Sequence, residues 1–338
     1  MSDGGRTIVV NERYFGESGS GPGQFKMPRF ICTLPNGNIC VSDFLNQRLQ
    51  ILTPSGRLEA TIGEQGNTPG KLCGPSGVFC EGDHIFVAEG GNHRLQKLTL
   101  ADGKAVSRAG SHGKGNNNMW CPQGLAIAKR FTASPEDVPR SDLFAADSIN
   151  GRVVVYDVAN LEFLRTFGSR GSKPGELMYP SGIAIRDEEV FVSDFGNHRI
   201  SVFSKRGNFE RSFGSRGTAL GQLNEPRGVA IVKGWVVVTE SKRISVFSPA
   251  GEPQQILQVP GTGQLWGCCA AEIDGESKVL VTDVRPGNAK VIVLKVLGSA
   301  HDEGMSVADM AAKKAALKKE AEEEKMREWQ AQREAKTK

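Results

Sequence analysis

The sequence predicts an all-β protein, a six-bladed β-propeller closed by an N-terminal strand and followed by a C-terminal α-helical tail. Three observations carry this expectation. Glycine accounts for 41 of 338 residues, far above the usual ~7%. One unit of four strand-like runs recurs six times along the chain. The last copy lacks its fourth run, and a single unpaired run precedes the first copy. Glycine at this level, with no collagen period and no linker block, means many tight turns and therefore many short strands.

In chain order, residues 7–16 (TIVVNERYFG) are the closing strand. The blade units follow at about 17–62, 63–109, 110–167, 168–213, 214–258 and 259–297. The clearest copy reads GELMYPSGIAIRDEEVFVSDFGNHRISVFSKRGNFERSFG, residues 175–214. Its first run, GIAIR after Pro-x-Gly, is short and small enough for a crowded centre. The second, VFVSD, ends on an acidic residue, the third is RISVF, and the fourth, FERSFG, is outermost. The acidic markers fall at Asp43, Glu89, Asp147, Asp194, Glu240 and Asp283, with spacings of 46, 58, 47, 46 and 43. A period near 45 is that of a propeller blade. The one long interval comes from KRFTASPEDVPRSD, residues 129–142, a polar insertion between the first two runs of the third unit. A lone sheet cannot bury both faces, so the blades must stack. A strand borrowed from the N-terminus completes the sixth blade and removes the open edges. The propeller is thus expected over residues 1–298.

From 299 to 338 the composition changes to Ala, Lys, Glu, Arg and Gln, a helix signal with Ser306 and Asp309 near its start. Its few apolar residues keep no heptad, so a long coiled coil is not expected. Met326 and Trp329 are the candidate docking residues of this tail. The tail holds nine basic and nine acidic residues, which argues against a nucleic-acid arm.

The repeat resembles the NHL family, named for its Asn-His-Leu-type signature, over nearly all of residues 7–297. The residues that carry the resemblance are Asn92-His93-Arg94 and Asn197-His198-Arg199, with weaker copies Asn46-Gln47-Arg48 and Asn150-Gly151-Arg152. The Phe-Gly and Pro-x-Gly elements match as well. The fifth copy departs with Ser241-Lys242-Arg243, and the sixth with Pro286-Gly287-Asn288-Ala289-Lys290. Features present in every blade are expected to build blades. The acidic residue receives hydrogen bonds from the turn that follows, Asn takes the left-handed position of that turn, and Arg pairs with carboxylate or carbonyl oxygens.

Function is therefore sought where the copies differ. The loops between blades and the turns between second and third strands share one face. Across that face stand Lys26, Arg29, Lys71, His112, Lys114, Trp120, Arg170, Lys173, Tyr179, Arg216, Arg227 and Trp266. Arg29, Ser76, Gln123, Ser181, Arg227 and Trp266 begin the first strands and face the central channel. The resemblance implies a non-enzymatic scaffold whose face recognises a protein partner, as the client-recognition part of a ubiquitin-ligase system. An alternative, as in TRIM-NHL proteins, is RNA binding through the interleaved basic and aromatic residues. A net charge of +4 is mild for that role. A third reading, a metal-dependent lyase or hydrolase on the channel, follows from the likeness of peptidyl amidating lyases to NHL proteins. Five histidines with no convergent set offer it little. No cofactor is expected.

The seven cysteines form no CxxC pair and read as free thiols of a reducing compartment, hence a cytoplasmic protein. No membrane partner is expected, because no run of about 18 apolar residues occurs. The sequence specifies no oligomeric state.

Overall fold

The computed structural model describes residues 8–130 and 140–297. Six four-stranded antiparallel sheets follow one another in chain order. Blade 1 comprises Pro28–Thr33, Ile39–Asp43, Arg48–Leu52 and Leu58–Ile62. The four strands of blade 4 are Pro180–Arg186, Glu189–Asp194, Arg199–Ser204 and Phe209–Phe213. In blade 3 the insertion separates Pro122–Lys129 from Ser141–Asp147; its residues 131–139 lie outside the described residues, as does the tail from 298 with Met326 and Trp329.

Closure is non-covalent. Val9–Phe15 pairs antiparallel with Lys290–Val296, with a bulge between Asn11 and Arg13, and completes blade 6. Gln255 of blade 5 fixes this strand from the neighbouring sheet. Its side-chain oxygen accepts from the backbone N–H groups of Ile8 and Val9, each at 2.8 Å, and its amide donates to the Val9 carbonyl at 2.8 Å. The sequence-derived closing strand is therefore the observed one.

Burial follows the position of each strand in its blade. Second and third strands are buried on both faces, as in Val190–Asp194, because each face meets a neighbouring blade. Fourth strands range from half-buried, as in Phe163–Phe167, to largely exposed, as in Leu58–Ile62. Apolar clusters lie between successive blades: Phe30, Leu49 and Val78 join blades 1 and 2, and Phe144, Ile183 and Phe203 join blades 3 and 4.

The centre is set by glycine. A Cβ on Gly182 would sit 2.6 Å from the Arg227 carbonyl oxygen, on Gly124 2.5 Å from that of Ser181, and on Gly228 2.6 Å from that of Trp266. Each Pro-x-Gly glycine lets the next blade's backbone approach directly. Blade 1 has Phe30 at this position, and that ring packs instead into the cluster shared with blade 2.

Candidate binding face and channel mouth

The repeated acidic residue is the centre of a clamp inside each blade. Asp194, fully buried, accepts the Met178 N–H at 2.7 Å, the Asn197 amide at 2.9 Å and Arg199 Nε at 2.8 Å. Arg199 reaches on to the carbonyls of Lys173 and Glu176. The Asn197 amide also donates to Gly171 O, so the turn is tied to the blade-connecting loop. Asp43, Glu89 and Asp147 repeat the arrangement with Arg48, Arg94 and Arg152. In blade 5 Arg243 keeps the pair with Glu240 across a shorter turn. In blade 6 Asn288 still donates to Gly261 O, and buried Lys290 stands where the arginine was.

One local expectation needs correction. The left-handed position belongs not to the Asn but to the residue after it: Gln47 at φ 56°, His93 at 54°, Gly151 at 68° and His198 at 55°. The Asn side chain bridges instead. The next residue reaches across to the following blade, where Gln47 accepts the Gly74 N–H at 2.6 Å, His93 Nδ1 that of Cys121 at 3.2 Å and His198 Nδ1 that of Glu225 at 3.1 Å. Burial and the neighbouring His112 hold the His93 pKa below its usual value. The two motif histidines thus act as staples between blades.

The blades differ at the mouth of the channel. Arg29 lies over the Phe44 ring at 3.5 Å and the Trp266 ring at 4.7 Å. Arg227 lies over the same Trp266 at 4.1 Å and over Phe195 at 4.8 Å. The result is a ladder, Phe44–Arg29–Trp266–Arg227–Phe195, running across blades 1, 6, 5 and 4. Phe44 and Phe195 each follow the acidic marker directly, so the turn that carries the clamp also carries the outer rung. Opposite the ladder, Gln123 accepts from Arg29 Nη1 at 3.2 Å and from Ser76 at 2.8 Å. Burial, then the charge of Arg227, pushes the Arg29 pKa down to about 10, and burial lowers that of Arg227 too. Four rungs of the ladder, Arg29, Trp266, Arg227 and Phe195, line a cavity of 280 Å³ together with Gln123, Ser181 and Tyr179. Deeper in, the channel is apolar, lined by Ile31, Val78, Leu125, Ile183, Val229 and Cys268.

Of the sequence-derived face residues, the structure brings Arg29, Arg227, Trp266 and Tyr179 together at this cavity. Arg170 joins them at the edge, donating to the Tyr179 hydroxyl at 2.8 Å. Trp120 is set apart, edge-on to His112 with ring centres 4.9 Å apart. Lys26, Lys114, Lys173 and Arg216 are exposed on the blade-connecting loops, and Lys71 pairs with Glu64 at 3.0 Å. The exposed apolar side chains Leu45, Tyr179 and Leu220 stand on the same loops and turns. Phe44 and Phe195 were missed in the sequence, although a Phe directly after the acidic marker occurs only in blades 1 and 4. Among the described residues no three His, Cys, Asp or Glu side chains gather as metal ligands. All seven cysteines are free. No helix among the described residues is long and apolar enough to cross a membrane.

Comparison with known proteins agrees with this architecture. The NHL repeat family model matches residues 25–52 and 177–203, which fall in blades 1 and 4. Human E3 ubiquitin-protein ligase TRIM32 is 33% identical over 98 residues, a match spanning 27% of this chain and only 15% of that protein. Among solved structures, the Xanthomonas campestris gluconolactonase XC5397 aligns with TM-score 0.57 and 14% identity over 82% of this chain and 88% of its own. A streptogramin B lyase aligns with TM-score 0.56 and 13% identity, over 86% and 98%. At such identities the likeness is one of fold.

Proposed function

We propose, for a chain that is an NHL-repeat β-propeller, that it is a non-enzymatic scaffold whose loop face receives a protein partner. The finer reading is that it selects the client in a ubiquitin-ligase system, in keeping with its partial match to TRIM32. The observation that carries the protein reading is the composition of the face. Leu45, Tyr179 and Leu220 are 39–51% exposed on it, while Glu64 and Glu225 interrupt its basic residues. Mixed charge around exposed apolar anchors suits a protein interface. Nucleic acid asks for a continuous basic track with free aromatic faces. Here Trp266 lies between two guanidiniums and Trp120 is engaged by His112.

The test is affinity purification with the full chain, comparing Leu45→Glu/Tyr179→Ala with Asn36→Asp, which alters an exposed turn at the opposite end of blade 1. The face variant is expected to lose the partner and the Asn36 variant to keep it. Equal retention by both, or salt-dependent capture of random RNA that the face variant abolishes, overturns the reading.

A further inference from the structure

Arg29 and Arg227 stand out from the other arginines of the ring. Arg48, Arg94, Arg152, Arg199 and Arg243 each pair with a buried carboxylate of their own blade. The guanidinium of Arg29 makes one hydrogen bond, to the neutral Gln123 at 3.2 Å. The guanidinium of Arg227, a residue only 7% exposed, makes one at 3.4 Å to Glu225, whose carboxylate is 43% exposed and lies outside the cavity lining. A guanidinium carries five N–H donors. The Nε atoms of both arginines and Nε1 of Trp266 are buried without a partner.

No carboxylate lines the cavity that these two cations share. Buried cations are normally paired, and a buried donor left unsatisfied asks for an explanation such as a bound ion. The aromatic rungs supply part of the missing compensation through their π faces. They also hold the guanidiniums flat and in place, which leaves the forks organised for a bidentate acceptor. A cavity of 280 Å³ falls below the size of a drug-sized pocket and suits one side chain. Its rim offers the half-exposed Tyr179.

We propose that the channel mouth is a carboxylate receptor, in which Arg29 and Arg227 clasp the side chain of one Asp or Glu presented by the protein partner. This rests on the reading of the loop face as a protein-binding surface and names the residue chemistry it selects. The apolar neighbours of the acidic residue lie on Tyr179 at the rim of the cavity. Gln123 and Ser181 complete the cavity as neutral polar groups, Gln123 taking a single N–H of Arg29.

The test uses the full chain and two short peptides, acetyl-Gly-Glu-Gly-amide and its Gln counterpart, with inorganic phosphate as a third probe. Binding is read by ligand-observed NMR titration, and folding by thermal melting. The Glu peptide is expected to bind at least tenfold more tightly than the Gln peptide. Arg227→Met and Arg29→Met are each expected to weaken it at least tenfold, with a melting temperature equal to or above that of the parent. Gln123→Glu places a carboxylate where Arg29 already donates; it is expected to raise the melting temperature and to abolish Glu-peptide binding. Should an arginine variant fail to fold, this third variant decides alone. Equal affinity for the two peptides, or a lower melting temperature in Gln123→Glu, overturns the proposal. Phosphate bound in preference to the Glu peptide overturns it as well. If the Glu peptide binds as stated while no protein is held by the loop face, the carboxylate site stands and the protein-partner reading fails. If a partner is held equally by Arg227→Met, the reverse holds.

Discussion

Replacing Gly182 by Ala tests how the ring is held at its centre. The added Cβ would stand 2.6 Å from the Arg227 carbonyl oxygen, 2.9 Å from Val229 N and 3.0 Å from Gly228 Cα. All three are backbone atoms of the next blade, so no side chain can swing away. Restoring an ordinary separation near 3.4 Å requires the blades to part by about 0.8 Å at their innermost point. Such overpacking costs about 1–3 kcal/mol. The same movement stretches the 2.7 Å hydrogen bond from Gly182 N–H to Arg227 O, worth about 0.5–1.5 kcal/mol. The expected loss is therefore about 2–4 kcal/mol. Gly90→Ala is the control, because its Cβ would meet nothing closer than 3.6 Å. Urea unfolding followed by circular dichroism measures both. A loss below about 0.5 kcal/mol in Gly182→Ala, or an equal loss in Gly90→Ala, refutes the close-approach argument.

Asp194→Ala removes the acceptor of Met178 N–H, Asn197 and Arg199 together; breaking a buried pair in this way is expected to cost about 3–5 kcal/mol in urea unfolding. His93 is held below the ordinary histidine pKa of about 6.5 by burial and by His112, so its neutral form belongs to the fold. The unfolded chain then takes up the proton first, and this contribution, complete above about pH 6.5, is lost as pH falls through the folded pKa. His93→Gln, which copies Gln47 in blade 1, is expected to reduce the fall in melting temperature between pH 7.5 and 5.5; an unchanged pH dependence contradicts the staple. Deleting the chain through Phe15 unpairs the strand Lys290–Val296 and removes fully buried Ile8 and Val9, each worth about 1.5–3 kcal/mol. Light scattering is expected to show association through the opened edge, reversed by a peptide of residues 7–16; a stable monomer speaks against closure by that strand.

The fold was legible because it is written six times. A single copy such as the blade 5 turn, with Ser241-Lys242-Arg243, says little, but the spacing of Asp43 through Asp283 together with the missing last strand left one way to close the ring. The clamp around Asp194 was legible for the same reason. The channel mouth was legible only in part. Arg29, Arg227 and Trp266 occupy the variable position after Pro or Leu at the head of the first strands, so their place in the channel followed from the repeat. Their stacking did not, because the ladder depends on Arg29 meeting Trp266, residues more than 200 positions apart that become neighbours only on closure. The inter-blade reach of Gln47, His93 and His198 was hidden differently: Asn and Arg are the constant members of the triplet, and a middle residue that varies among Gln, His and Gly resembles filler.

A protein partner on the face bearing the ladder must touch the residues around the channel mouth. Site-specific photo-crosslinking tests it most directly, with the crosslinker placed at Tyr179 beside the channel mouth or at Asn36 on the opposite face of the full chain. A discrete protein adduct is expected from Tyr179, with the contact mapped to a segment containing Asp or Glu, and none from Asn36. Adducts from Asn36 alone, or an RNA adduct from Tyr179, contradict it.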